Sequence, residues 1–278
     1  MNGRASPSNR ATNSDLVLRS LSFGYIGLLI VLPIIAMVAR SLEGGLAVLW
    51  ADMTLPPAIY SLKLTISTAL IMVAINVVTG TATAWVLVRY SFPGKNLMNA
   101  LIDLPFAMPT IVTGIMLVAV YGPRSMIGGF FQRYGYEIMF NKPGIILALM
   151  FVTFPFVVRA VQPVLIEMDK DMEEAARTLG ASSVTIFLRV VIPSLLPSIL
   201  TGAALSFSRA LGEFGSIIMV AGNIPFKTQV ASVYIYGEIE SYNPQGALGL
   251  SVVLLLFSFV TLMVINVLQY WSRRHEKS

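Results

Sequence analysis

Apolar residues in this chain come in long uncharged runs, not in the short alternations of a half-buried sheet. Leu21 to Ala39 lie between Arg19 and Arg40, Leu64 to Val88 between Lys63 and Arg89, and Leu104 to Pro123 between Asp103 and Arg124. Pro143 to Val158 run from Lys142 to Arg159, with apolar character resuming to Ile166. Val190 to Ser208 lie between Arg189 and Arg209, and Ser241 to Ser272 between Glu240 and Arg273. A helix of about 20 apolar residues crosses a hydrocarbon core of roughly 30 Å. Each run meets or nearly meets that length. Lipid offers the backbone no hydrogen bonds, so such runs are helices or a closed barrel. Barrel strands are about 10 residues long and alternate; these runs do neither. The pattern predicts an all-α polytopic membrane protein with six transmembrane helices. The first run starts twenty residues in, and no small-residue cleavage site precedes a soluble domain. It reads as a permanent span, not as a signal peptide. Met1 to Ser14 is rich in Ser, Asn and Arg and is expected to be disordered.

Composition narrows the function classes. Of 278 residues, 56% are apolar and 12% charged, about half the charged share of an ordinary soluble domain. There is no Cys, and the one His is His275. A thiolate nucleophile, a Cys-bearing zinc site and a catalytic or metal-binding His cluster are therefore excluded. The net charge of +5 suits basic loops at an anionic membrane face and not nucleic acid. No G-x-x-x-x-G-K-[ST] occurs, so the chain binds no ATP phosphates of its own.

Lys and Arg set the orientation. With the N-terminus inside, Arg4, Arg10, Arg19, Arg89, Lys95, Lys170, Arg177, Arg189, Arg273, Arg274 and Lys277 are cytoplasmic. Arg40, Lys63, Arg124, Arg133, Lys142 and Lys227 are outside. Eleven against six puts both termini in the cytoplasm.

The most polar segment is then a cytoplasmic loop from Glu167 to Ile192. Asp171 followed by Glu174 resembles a capping box, with acids at the positive end of a helix. Gly180 suits the left-handed position that ends one. Ser182 or Ser183 starts a second helix with Ile186, Phe187 and Val190 on its apolar face, and Pro193 and Pro197 mark entry into the fifth span. On pattern alone this is either a plain solvated loop or an amphipathic elbow for a partner. Glu174-Ala175-Ala176, three residues, Gly180, nine residues and Val190-Val191-Ile192-Pro193 resemble the EAA motif of ABC-importer permeases, Glu-Ala-Ala-x3-Gly-x9-Ile-x-Leu-Pro. Val190 stands for the Ile and Ile192 for the Leu.

Further segments resemble the sulfate/molybdate branch of that family. They are Arg89-Tyr90-Ser91-Phe92-Pro93-Gly94-Lys95, Asp103-Leu104-Pro105-Phe106-Ala107-Met108-Pro109-Thr110, Phe154-Pro155-Phe156 with Arg159, and Ser208-Arg209-Ala210-Leu211-Gly212-Glu213-Phe214-Gly215. Ala221-Gly222-Asn223-Ile224-Pro225-Phe226-Lys227-Thr228 follows. The similarity is greatest to the T-type permeases of sulfate and thiosulfate importers. Molybdate permeases share the Arg-Ala-Leu-Gly-Glu-Phe-Gly segment and usually lack the first span.

The resemblance implies a type I ABC-importer permease with a MetI-like fold. Residues 1–18 form a cytoplasmic tail, 19–59 the first helix and outer loop, 60–270 the permease core, and 271–278 a second tail. It further implies that Glu174, Ala175, Ala176, Arg177, Leu179, Gly180 and Pro193 couple the chain to an ATP-binding subunit, present in two copies. A second permease, W-type or another copy of this chain, completes the path, and a periplasmic sulfate-binding protein docks on the outer loops. The implied cargo is sulfate, with thiosulfate, and molybdate or tungstate as the alternative. The chain itself is then no enzyme, carries no cofactor or metal, and resides with lipid in a bacterial inner membrane.

Two arginines fall inside spans. Arg209 and Glu213 are i, i+4, and at about 100° per residue they share a face with Ser206 and Ala210. An intramembrane charge costs roughly 2.5–3.5 kcal/mol on insertion scales, so that face looks at protein or water. It either lines a translocation path or packs as a self-neutralising pair. Arg159 is either an interfacial anchor that snorkels or, with Thr110, part of the path. Pro105, Pro109, Pro155 and Pro163 are expected to kink their helices. An ion-driven transporter would need midplane ion ligands and a repeat, and a membrane enzyme a catalytic constellation; the sequence presents none of these.

Overall fold

The computed structural model describes residues 13–169 and 171–275. The regular elements among these residues are all helical. α1 runs through Asn13–Ile26, a π-helical turn at Gly27–Val31 and Leu32–Ser41. Then follow α2 (Leu46–Met53), α3 (Pro56–Arg89), α4 (Lys95–Ala107), α5 (Thr110–Tyr121), α6 (Met126–Arg133), α7 (Lys142–Glu167) and α8 (Asp171–Thr178). α9 comprises Ser183–Ile186, a π turn at Phe187–Val191 and Ile192–Leu211. α10 (Gly215–Val220), α11 (Ala231–Glu240) and α12 (Pro244–His275) complete the chain. Asn13 and Ser14 are helical; the rest of the predicted disordered tail lies outside the described residues.

Among the described residues, five helices are long and apolar enough to cross a membrane: α1, α3, α7, α9 and α12. The predicted third span is not one helix. It is the pair α4 and α5, bent by 117°. Pro109 has no N–H to continue a helix, and its ring drives the preceding residue out of the helical region. Met108 is accordingly extended, at φ −93° and ψ 136°. Pro155 and Pro163, by contrast, sit inside an unbroken α7.

The core is a three-helix crossing of α3, α7 and α9. Small residues let the backbones approach, as membrane packing favours. A Cβ on Gly80 would come within 2.9 Å of Val157 Cβ, and one on Gly202 within 2.8 Å of Val157 Cα. Buried polar groups pin the same crossing. Asn76 Nδ2 donates to Thr153 Oγ1 at 3.0 Å, and Ser206 Oγ donates to the Thr153 carbonyl at 3.2 Å. Ala84, Leu87, Val161, Leu165, Ile186 and Leu195 fill the end of the crossing nearest α8. α4 and α8 gather at that end, and α12 lies along the other side against α9, α11 and the second half of α1.

Candidate functional site

The elbow is built as its sequence demands, with one register correction. α8 ends in a Schellman arrangement: the Gly180 N–H donates to Arg177 O at 2.9 Å and the Ala181 N–H to Ala176 O at 3.0 Å. This requires the left-handed Gly180, at φ +81°. At the helix start the capping side chain is Asp169, whose Oδ1 accepts the Asp171 backbone N–H at 3.0 Å. Ser182 Oγ accepts the Thr185 N–H at 3.2 Å and so caps α9. Pro193 does not mark an entry point, because the second helix of the elbow and the fifth span are one continuous helix, Ser183–Leu211. The π turn at Phe187–Val191 widens the helix just before Pro193, which lacks an N–H.

α8 has two faces. Glu173 and Ala176, three apart, turn inward; Ala176 packs on the core and Glu173 pairs with Arg89 at 2.6 Å. Glu174, Ala175 and Arg177 are exposed. Leu179 is 88% exposed, and Met172, Val184 and Leu188 on the two helices of the elbow are exposed as well. Adjacent acids hide this division in the sequence. The i, i+3 spacing of Glu173 and Ala176 is the one signal for it.

The membrane charges are rearranged relative to expectation. α9 ends at Leu211, so Glu213 lies past the helix end and not on a shared helical face. The Arg209–Glu213 pair still forms, at 2.7 Å, with Glu213 1% and Arg209 35% exposed at the side chain. Glu213 Oε1 also accepts the Ser216 N–H and hydroxyl, both at 2.9 Å. Its carbonyl accepts Ser232 Oγ at 2.7 Å. Ser206 is fully buried in packing against α7 and lines no surface, because its hydroxyl is turned onto Thr153.

Thr110 opens α5 half-buried against α10; a Cβ on Gly215 would come within 2.2 Å of its Oγ1. On α5, a Cβ on Gly114 would meet the Ser216 carbonyl at 2.7 Å. The break between α4 and α5 therefore lies against the break between α9 and α10. Arg159 is held in a polar network. It grips Asp103 through Nε at 2.7 Å and Nη2 at 2.6 Å, donates to the Asn99 carbonyl at 2.9 Å, and contacts Gln162. It thereby fastens α4 to α7. Asp103 and Asn99 as its partners were not legible, because the bent course of α4 brings them there.

The family model described as "Binding-protein-dependent transport system inner membrane component" matches residues 76–277. The chain belongs to that family. The match takes in the elbow and both helix breaks and begins part-way along α3. A Synechocystis protein named "Sulfate transport system permease protein CysT" is 45% identical over 251 residues, covering 90% of this chain and 88% of that protein. A Synechococcus elongatus protein of the same name is also 45% identical, covering 90% of each chain. A Chlorokybus atmophyticus protein, "Probable sulfate transport system permease protein cysT", is 44% identical over 92% of this chain and 90% of its own. Among solved structures, a bacterial ABC transporter involved in the import of the acidic polysaccharide alginate superimposes with a TM-score of 0.76 at 14% identity. That superposition covers 92% of this chain and 96% of the other. The MetNI methionine ABC transporter, inward facing, gives 0.55 at 18% identity over 78% and 98%. This member of the family thus has the fold of ABC-importer permeases: a multi-pass transport component, not an enzyme.

Proposed function

We propose that this chain is the membrane permease of an ATP-driven sulfate importer, with thiosulfate as a second cargo. The elbow carries the reading. Its Glu174–Gly180 segment holds the motif residues in a capped helix with an exposed outer face that includes the bare Leu179, an apolar group that water does not favour. Such a face suits a groove on an ATP-hydrolysing subunit, two of which serve two permeases, this one and a W-type chain or a second copy. The names of the relatives at 44–45% identity support sulfate as the cargo. The basic side with Arg89, Lys95, Arg177 and Arg189 is cytoplasmic and the membrane is the bacterial inner one; a periplasmic sulfate-binding protein docks on the α6 and α11 side.

The path runs past the paired breaks, Met108–Pro109 and Gly212–Phe214. Interrupted helices leave backbone groups without intrahelical partners, which lipid does not tolerate. Their surroundings are therefore protein or a wet passage. Arg209, one-third exposed there, offers positive charge to a passing dianion. Its standing partner Glu213 keeps that contact weak, so release stays fast and selectivity rests with the delivering receptor. Thr110 borders the same junction; Arg159, held by Asp103, shapes the wall from α7.

Reconstitution tests this. The chain is placed in vesicles with a second permease, the ATPase and the sulfate-binding protein, and radiolabelled sulfate uptake is followed. Uptake that needs ATP and resists excess molybdate is expected. Uptake without ATP contradicts the importer reading, and inhibition by molybdate with its own receptor moves the cargo to the alternative oxyanion.

A further inference from the structure

Arg89 is the last residue of α3, and three elements converge on it. Its Nη2 lies 2.6 Å from Glu173 Oε1 in the first turn of α8, with both side chains about nine-tenths buried. Its guanidinium stands 5.5 Å from the centroid of the Trp85 ring. Trp85 in turn meets Phe187, the residue that opens the π turn of α9, edge-on at 5.1 Å.

The mechanics follow from how α8 is attached. Its chain link to α9 passes through Gly180 in the left-handed conformation and the short Ala181–Ser182 joint. Ala176, the other inward residue, offers a methyl group that slides without directional resistance. A buried ion pair resists separation and fixes direction, since breaking it leaves uncompensated charge in a low-dielectric site. If a push on α8 reached α9 alone, α9 would have to shear past α7 at the Gly202–Val157 approach and the Ser206–Thr153 bond.

We infer that the Arg89–Glu173 pair is a coupling clamp. It positions α8 on α3, so that displacement of the elbow moves the second and fifth spans together as one body with α7. The inference rests on reading the elbow as the ATPase contact. Arg89 and Glu173 are positioning residues and touch no cargo.

The test uses the reconstituted complex with Glu173→Gln, Arg89→Gln and the double variant. In each, the ATPase stays bound and hydrolyses ATP, and sulfate moved per ATP falls by roughly 5–150-fold, the range of a typical coupling free energy. The double variant has no orphaned charge, so it separates coupling from simple desolvation. Restoration of the wild-type ratio in the double, an unchanged ratio in the singles, or loss of bound ATPase from the singles overturns the clamp. A second readout needs no cargo. Because this chain has no Cys, spin labels at Val86→Cys on α3 and Met172→Cys on α8, beside Cys-free partners, report the α3–α8 distance alone. That distance holds constant through ATP binding with the pair intact and changes in the double variant; a constant distance in both overturns the clamp. Wild-type hydrolysis without sulfate uptake, with the label distances behaving as stated, faults the cargo reading and leaves the clamp standing.

Discussion

Glu213 uses every acceptor it has. Arg209 takes one carboxylate oxygen, Ser216 takes the other twice, and Ser232 takes the carbonyl. Replacing it by Ala leaves a cation and two donors without acceptors. Breaking a buried pair costs about 3–5 kcal/mol, and the one-third exposure of Arg209 lets solvent offset part of that. Glu213→Ala is therefore expected to destabilise the purified protein by about 2 kcal/mol. Glu213→Gln, which still accepts from Ser216, loses less. Thermal unfolding in detergent decides between them, and equal losses from the two would refute the hydrogen-bond argument. The i, i+4 spacing made this pair legible in the sequence. The helix end between its members was not, because Gly212 within an apolar run reads equally as a packing residue.

Among the elements, α7 is the pivot. Gly80 and Gly202 press on the same residue, Val157, from opposite neighbours. An added methyl at Gly202 meets backbone at 2.8 Å, and over-packing of this kind costs about 1–3 kcal/mol. Gly202→Ala is expected to lower both stability and uptake, while Gly212→Ala, where a Cβ meets nothing within 4 Å, leaves stability near wild type. Melting curves of the two variants side by side test the contrast. Span lengths were plain from the charge-free runs, because burial in lipid imposes a length that composition reveals. The bent course of α4 and α5 was not, since prolines occur both at that break and inside the continuous α7. What distinguishes Pro109 is the extended Met108 before it, a backbone state that composition does not encode.

At the scale of the whole molecule, orientation is the property on which the mechanism depends. The absence of Cys makes each introduced thiol a clean reporter. Leu179→Cys is expected to react with a membrane-impermeant maleimide only in inside-out vesicles, and Met126→Cys, on the exposed side of α6, only in right-side-out ones. The reverse pattern would invert the topology and remove the elbow from any ATPase. Leu179 carries one more consequence. Until a partner covers it, this bare leucine looks to the cell like unfinished folding. On the proposed reading of the elbow, the same exposed leucine would mark an unassembled chain for chaperones and proteases, so its supply would follow that of the subunit that covers it.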